Sequence, residues 1–298
     1  MYGNRMRQSH RRLVWFFILP SLVLLLLLAY PIANVFYYSL QHYNENKPYA
    51  NGFAGLQNFV QIFSKDKYFF PSLLVSFKWV SIQVVLQLLF GLMIALVLNQ
   101  KFRFRGVFRS VIFAPWAISG VLTSMMWSLI YNENIGLLNG LLQHLGIINK
   151  NIGWLATTTG GFWALTVAEL WRGLPFFTIL MLAALQQIPM ELYEAARVDG
   201  AGRWKSFVRI TLPYLKDNIV LATLLRCAWE FNNVDVIYTL TGGGPARATT
   251  TLTMYITQTA IKLNNFGYGS ALSVVAFIIL AVFATAYLKL SNFGRESQ

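Results

Sequence analysis

SLLVSFKWVSIQVVLQLLFGLMIALVL, residues 72–98, carries a single charge, Lys78, in 27 residues. About 20 helical residues cross the ~30 Å of hydrocarbon in a bilayer. A barrel strand would alternate over about 10 residues, whereas this run is continuous. It therefore reads as a transmembrane helix. Five further stretches have the length to cross: 13–40, 107–131, 160–186, 218–240 and 268–290. Together the six make up about half of the 298 residues. The fourth and fifth depart from a plain apolar span, because they contain Glu169, Arg172, Arg226, Glu230 and Asp235. The expected class is an all-α membrane protein with six transmembrane helices.

Composition agrees. Charged residues are 12% of the chain, about half the ~25% of soluble domains. Hydrophobic residues reach 56%, which excludes a disordered chain. The one cysteine, Cys227, excludes a disulfide framework and a cysteine-based zinc site. His10, His42 and His144 are far apart, so no metal site is expected. The net charge of +13 sits in short clusters between apolar runs, not in a basic stripe among exposed aromatics. That pattern orients a membrane chain and does not mark a nucleic-acid binder. With the N-terminus inside, fifteen Lys and Arg fall on inner segments and six on outer ones. Both termini are thus expected in the cytoplasm. The first span is too long for a signal-peptide core and reads as a retained anchor. The expected organisation is a basic N-terminal segment 1–12, a membrane domain 13–290 and a tail 291–298.

One cytoplasmic segment, 187–217, is long for a plain connection, and long loops usually carry function or structure. Pro189 opens a helical stretch over 190–199, with Glu191 and Glu194 near its positive end. Gly200 and Gly202 then break it. A second amphipathic stretch runs over 203–210 and is expected to end at Leu212-Pro213. Two short helices on a glycine elbow can lie on lipid or dock into a partner's groove.

Within this loop, Glu194-Ala195-Ala196, three residues, Gly200, nine residues, then Ile210, Leu212 and Pro213 reproduce the EAA motif without gaps. The chain resembles the membrane permease subunits of binding-protein-dependent ABC importers. Glu230-Phe231-Asn232-Asn233 and Thr241-Gly242-Gly243-Gly244-Pro245 are similar to the carbohydrate-uptake branch, the one that includes maltose and glycerol-phosphate permeases. The resemblance implies a type I importer fold in a bacterial or archaeal cytoplasmic membrane. It implies a second permease subunit, two cytoplasmic ATPase subunits and an extracytoplasmic solute-binding protein. It makes Glu194, Ala195, Ala196, Gly200, Ile210, Leu212 and Pro213 the residues that couple to the ATPase. ATP and Mg would bind that ATPase. This chain has no GxxxxGK[ST] loop, and its glycine run ends in Pro245. No cofactor and no catalytic residue are therefore expected here.

Ionisable groups inside a membrane are functional candidates by default. Glu169 and Arg172 stand i,i+3 and Arg226 and Glu230 i,i+4, spacings that allow self-neutralised pairs. The other reading is a polar, aromatic-rimmed sugar cavity. Arg226, Trp229, Glu230 and Asn233 share one helical face, with Trp171, Gly173 and Phe176 as a facing wall. By resemblance, Gly173, Phe176, Arg226, Trp229, Glu230 and Asn233 match the positions lining the maltose-type sugar site. That subunit is neutral at two of these, so Arg226 here suits an acidic sugar or phosphate. An intramembrane enzyme or an ion-coupled transporter using Glu169 and Glu230 are the competing classes. No HExxH or GxSxG motif and no internal repeat support them.

Overall fold

A computed structural model describes residues 2–291, with side chains from Trp15 onward. The side chains of segment 1–12 and the tail from 292, with the arginines counted there for orientation, lie outside the described residues. Helix α1 (Tyr2–Ser39) leads into a hairpin of β1 (Gln41–His42) and β2 (Gly52–Phe53). Next come α2 (Gln57–Ser64), α3 (Phe69–Asn99), α4 (Arg105–Phe113), α5 (Gly120–Ile130) and α6 (Leu137–His144). The chain continues through α7 (Thr158–Gln186), α8 (Met190–Val198), α9 (Arg203–Ser206) and α10 (Leu212–Asn232). It ends with α11 (Asp235–Leu240), α12 (Leu252–Thr257) and α13 (Phe266–Leu290).

Among the described residues four helices are long and apolar enough to cross a membrane: α1 over Trp15–Ser39, α3, α7 and α13. They match the first, second, fourth and sixth expected spans within a few residues. The third and fifth differ. The third is not one helix: α4 with its following turn and α5 meet at 101°. Pro115 has no N–H with which to continue the ladder, and the backbone tightens into a 3-10 turn over Ala114–Ala117. Ser119 then starts α5, its hydroxyl accepting the Leu122 N–H at 3.3 Å. The fifth ends early. Helix α10 stops at Asn232, Asn233 is extended, and a separate α11 follows. Consecutive asparagines compete with the helical backbone for hydrogen bonds, which favours a break there.

The described chain forms two compact units. One comprises residues up to 66 together with 256–277. In it, Asn58 donates from Nδ2 to the Ser39 and Gln41 carbonyls, at 3.0 and 2.9 Å. The Gly267 N–H reaches Tyr43 O and the Glu45 N–H reaches Asn264 O, joining the hairpin to the first turn of α13 and the loop before it. Residues 15–33 of α1 are all exposed. A helix apolar on every side and uncovered by its own chain suits hydrocarbon or another subunit.

The other unit comprises 67–255 and 278–298. Helices α3, α7 and α10 pack together around Leu98, Phe177, Met181, Leu185 and Leu215. A second cluster gathers Trp79, Phe162, Leu165, Ile237 and Met254. Polar groups tie the helices as well: Gln83 donates to the Thr166 carbonyl at 3.1 Å. In hydrocarbon, where helices gain little from hydrophobic contact with each other, such bonds and close packing hold a bundle.

Candidate functional site

Between α3, α7 and α10 five side chains form one buried network. Arg172 grips Glu169 with two bonds, Nε to Oε2 at 3.0 Å and Nη2 to Oε1 at 3.2 Å. Arg226 Nη2 reaches Glu169 Oε1 at 3.1 Å and Glu230 Oε1 at 2.6 Å. Its Nε donates to Gln87 Oε1 at 2.6 Å, and Gln87 Nε2 donates to Glu230 at 2.9 Å. Both spacings anticipated from the sequence thus do form ion pairs. Arg226 also cross-links the two, which no single-helix spacing reveals. Gly173 permits this closeness: a Cβ there would stand 2.3 Å from Arg226 Nη2 and 2.5 Å from Gln87 Nε2.

The network forms the floor of a cavity of about 320 Å³. That is at the lower end of the ~300–1,000 Å³ of small-molecule sites. Arg226, Trp229, Glu230 and Asn233 line it, as expected from the sequence. Gly173 and Phe176 are not lining residues: Gly173 backs onto Arg226, and the Phe176 ring lies 5.1 Å from that of Trp229. Trp171 is turned elsewhere, its ring against Trp127 at 6.1 Å. The facing wall instead comes from Trp116 and Ile118, in the break of the third span, with Asp235 at the start of α11. Arg172 lines the cavity too and is the more open arginine, its side chain 22% exposed against 6% for Arg226.

This geometry adds to the reading of Arg226. Arg226 is engaged by two carboxylates and Gln87 through Nε and Nη2, so it is the partner of Glu169 and Glu230 as well as a lining residue. The lining holds three carboxylates, of Glu169, Glu230 and Asp235, against two guanidinium groups. Trp229, half exposed, and Trp116 offer aromatic faces beside planar polar groups. Such a set has the chemistry to hold a polyhydroxylated molecule by paired hydrogen bonds and ring contact.

The EAA segment is built differently. Glu191 lies in the first turn of α8, where the helix dipole favours it. Gly200 follows the helix with φ +74°, a left-handed conformation that glycine adopts without strain. The Ala201 N–H returns to Ala196 O at 2.8 Å and the Gly200 N–H to Arg197 O at 3.1 Å, closing the last turn. The second stretch does not end at Leu212-Pro213. Helix α9 passes through a wider turn at Phe207–Thr211 straight into α10. The Leu212 N–H bonds five residues back, to Phe207 O. This shift accommodates Pro213, which sits in the first turn of α10, where a missing N–H is tolerated.

Leu192, Tyr193 and Ile210 pack on the core, and Tyr193 Oη lies 2.8 Å from Thr211 Oγ1. These contacts fix the elbow to the bundle. Tyr193 and Thr211 were missed in the sequence because their pairing spans the elbow. Glu194, Ala195 and Gly200 are exposed, Ala196 is half-buried, and Leu212 and Pro213 are exposed at the head of α10. The elbow carries bare apolar surface, with Val198 88% and Trp204 76% exposed.

Comparison with known proteins matches this arrangement. Over 98% of both chains the protein is 36% identical to the trehalose/maltose transport system permease protein MalF of Thermococcus litoralis. It is 34% identical to the sulfoquinovosyl glycerol transport system permease protein SmoG of Agrobacterium fabrum, over 91% of this chain and 87% of that one. A chain from the crystal structure of a bacterial ABC transporter involved in the import of the acidic polysaccharide alginate superposes with a TM-score of 0.83. It covers 98% of this chain and 99% of its own at 20% identity, a likeness of fold. The family described as binding-protein-dependent transport system inner membrane component matches residues 87–292. With most of the chain so matched, and the helical bundle and EAA elbow in place, the protein belongs to that family of inner membrane transport components.

Proposed function

We propose that this chain is one of two permease subunits of an ABC importer that carries a sugar or oligosaccharide into the cytoplasm. The observation that carries the proposal is the cavity floored by Glu169, Arg226 and Glu230 and walled by Trp116 and Trp229. Its relatives, named for trehalose, maltose and sulfoquinovosyl glycerol transport, support a carbohydrate. With carboxylates in formal excess, a neutral sugar suits the cavity better than an acidic one. An acidic sugar would be met first by Arg172, the more open guanidinium.

In this reading both termini are cytoplasmic, and the hairpin and the loop before α13 face outward. A solute-binding protein delivers the sugar there, as a periplasmic protein is bound in a related alginate transporter complex. The elbow formed by Glu194, Ala195, Ala196 and Gly200 docks through its bare Val198 and Trp204 into an ATPase subunit that binds ATP and Mg. Closure of the two ATPase subunits would turn the elbow, and Tyr193–Thr211 would pass that motion to α10.

The test is uptake by the complete importer in proteoliposomes, supplied with its binding protein and a panel of neutral and acidic glycans. Trp229→Ala is expected to lower uptake of the cognate sugar roughly three- to tenfold, the worth of one aromatic contact of ~0.5–1.5 kcal/mol. ATPase activity stimulated by the binding protein should persist. Unchanged uptake in both Trp229→Ala and Trp116→Ala would remove this cavity from the sugar's path.

A further inference from the structure

Residues 67 to 132 contain no Asp or Glu, yet Lys101, Arg103, Arg105 and Arg109 fall within nine of them, at the passage from α3 into α4. Among the described residues none of the four forms an ion pair. Arg109 differs from the other three. Its Nε and Nη2 are shut off from solvent and, among the described residues, have no hydrogen-bond partner. Water cannot serve these two nitrogens, so the guanidinium meets an outside acceptor through Nη1. A cation withdrawn from water is costly unless an anion meets it.

Beside these cations lies a groove of about 550 Å³ between the last turns of α3 and α4. Met93, Val97, Phe102, Phe108 and Ile112 line it, and Gln100 is its one polar residue among those described. Along α3 it extends from Phe90 to Leu98, about 12 Å at 1.5 Å per residue. Arg105 and Arg109 stand three residues before Phe108 and Ile112, so cations and groove share one side of α4.

The complementary occupant is apolar along its length and acidic at one end. A free sugar or inorganic phosphate has no apolar part to fill the groove. A zwitterionic phospholipid would bring its own ammonium among the arginines. We propose that the groove holds an acyl chain of an anionic phospholipid whose phosphate is met by Arg109, with Arg105 and Lys101 beside it. Guanidinium matches phosphate through charge-assisted hydrogen bonds. The lipid site is separate from the sugar cavity between α3, α7 and α10, and its occupancy does not depend on the sugar.

The test uses the complete importer, stripped of native lipid and titrated with phosphatidylglycerol or phosphatidylcholine. Native mass spectrometry reads the lipid bound to the intact complex. Wild type is expected to bind one phosphatidylglycerol per copy of this chain at least tenfold more tightly than phosphatidylcholine. Arg109→Gln should lose that preference and Arg109→Lys should recover part of it. Val97→Trp, which fills the groove with all four cations in place, should weaken phosphatidylglycerol tenfold or more; Met93→Trp repeats the filling at a second position. Lys289→Gln, the same loss of charge at the end of α13, should leave binding unchanged. Wild-type binding in Arg109→Gln, or in both groove-filling variants, would overturn the proposal, as would an equal loss in Lys289→Gln. A cysteine at Val97 that crosslinks to the second permease subunit would show that this subunit fills the groove, and would overturn it too.

Discussion

Arg226→Met is expected to leave little assembled subunit in the membrane, and Arg226→Gln combined with Glu230→Gln to restore it. Removing Arg226 alone leaves Glu230 with amide donors only and deprives Glu169 of its second cation. Both glutamates are essentially unexposed. Breaking a buried pair by deleting one partner costs about 3–5 kcal/mol, a large part of the ~5–15 kcal/mol that holds a typical domain together. The double variant removes one charge of each sign and keeps the Glu169–Arg172 pair. Quantifying the subunit in membranes and in the purified complex checks both outcomes. A normal level of Arg226→Met would show that the network is not needed for assembly. The double variant also reports on the cavity. If Arg226 and Glu230 orient the sugar, it assembles yet takes up sugar at least tenfold more slowly. Full uptake would confine the pair to a structural role.

Gly200→Pro should abolish transport in a subunit that still inserts. At φ +74° the position excludes proline, whose ring holds φ near −65°. The change also deletes the N–H that bonds Arg197 O. The chain leaving α8 must then take another direction, which displaces Trp204 relative to Val198. Sugar-stimulated ATP hydrolysis is expected to fall to background. A cysteine at Val198 should lose its crosslink to the ATPase. Gly200→Ala, with a left-handed strain of about 1–2 kcal/mol, should fall between the two. Stimulated hydrolysis at the normal rate in Gly200→Pro would show that the elbow does not transmit force.

Span length and hydropathy were enough to read α3, α7 and α13, because in hydrocarbon a long apolar run has few alternatives to a helix. The two broken spans were read as continuous because a hydropathy window averages over punctuation. Pro115 and Ser119-Gly120 marked the first break, and Asn232-Asn233 the second. Half of the cavity was legible for a related reason. Arg226, Trp229, Glu230 and Asn233 lie within eight consecutive residues, so helical spacing groups them. Gln87, Trp116, Ile118 and Asp235 reach the cavity or its floor from separate elements. Only the packing of α3, the turn before α5 and α11 against α7 brings them there. The glycine elbow was read correctly because its signals are local. The continuity of α9 with α10 was not, since proline serves equally well as a terminator and as a first-turn residue.

The break between α4 and α5 bears on how the protein is made. An irregular turn cannot be left facing lipid, because its peptide groups have no water there to satisfy them. The residues packed around this turn belong to α7 and α11, which leave the ribosome well after residue 120. At ~5–20 residues per second the delay is on the order of ten seconds. For that interval the third span has no stable lodging of its own within the chain. Its final seating is therefore expected late in synthesis, which makes the half-built subunit dependent on the insertion machinery for shelter until residues 235–240 emerge.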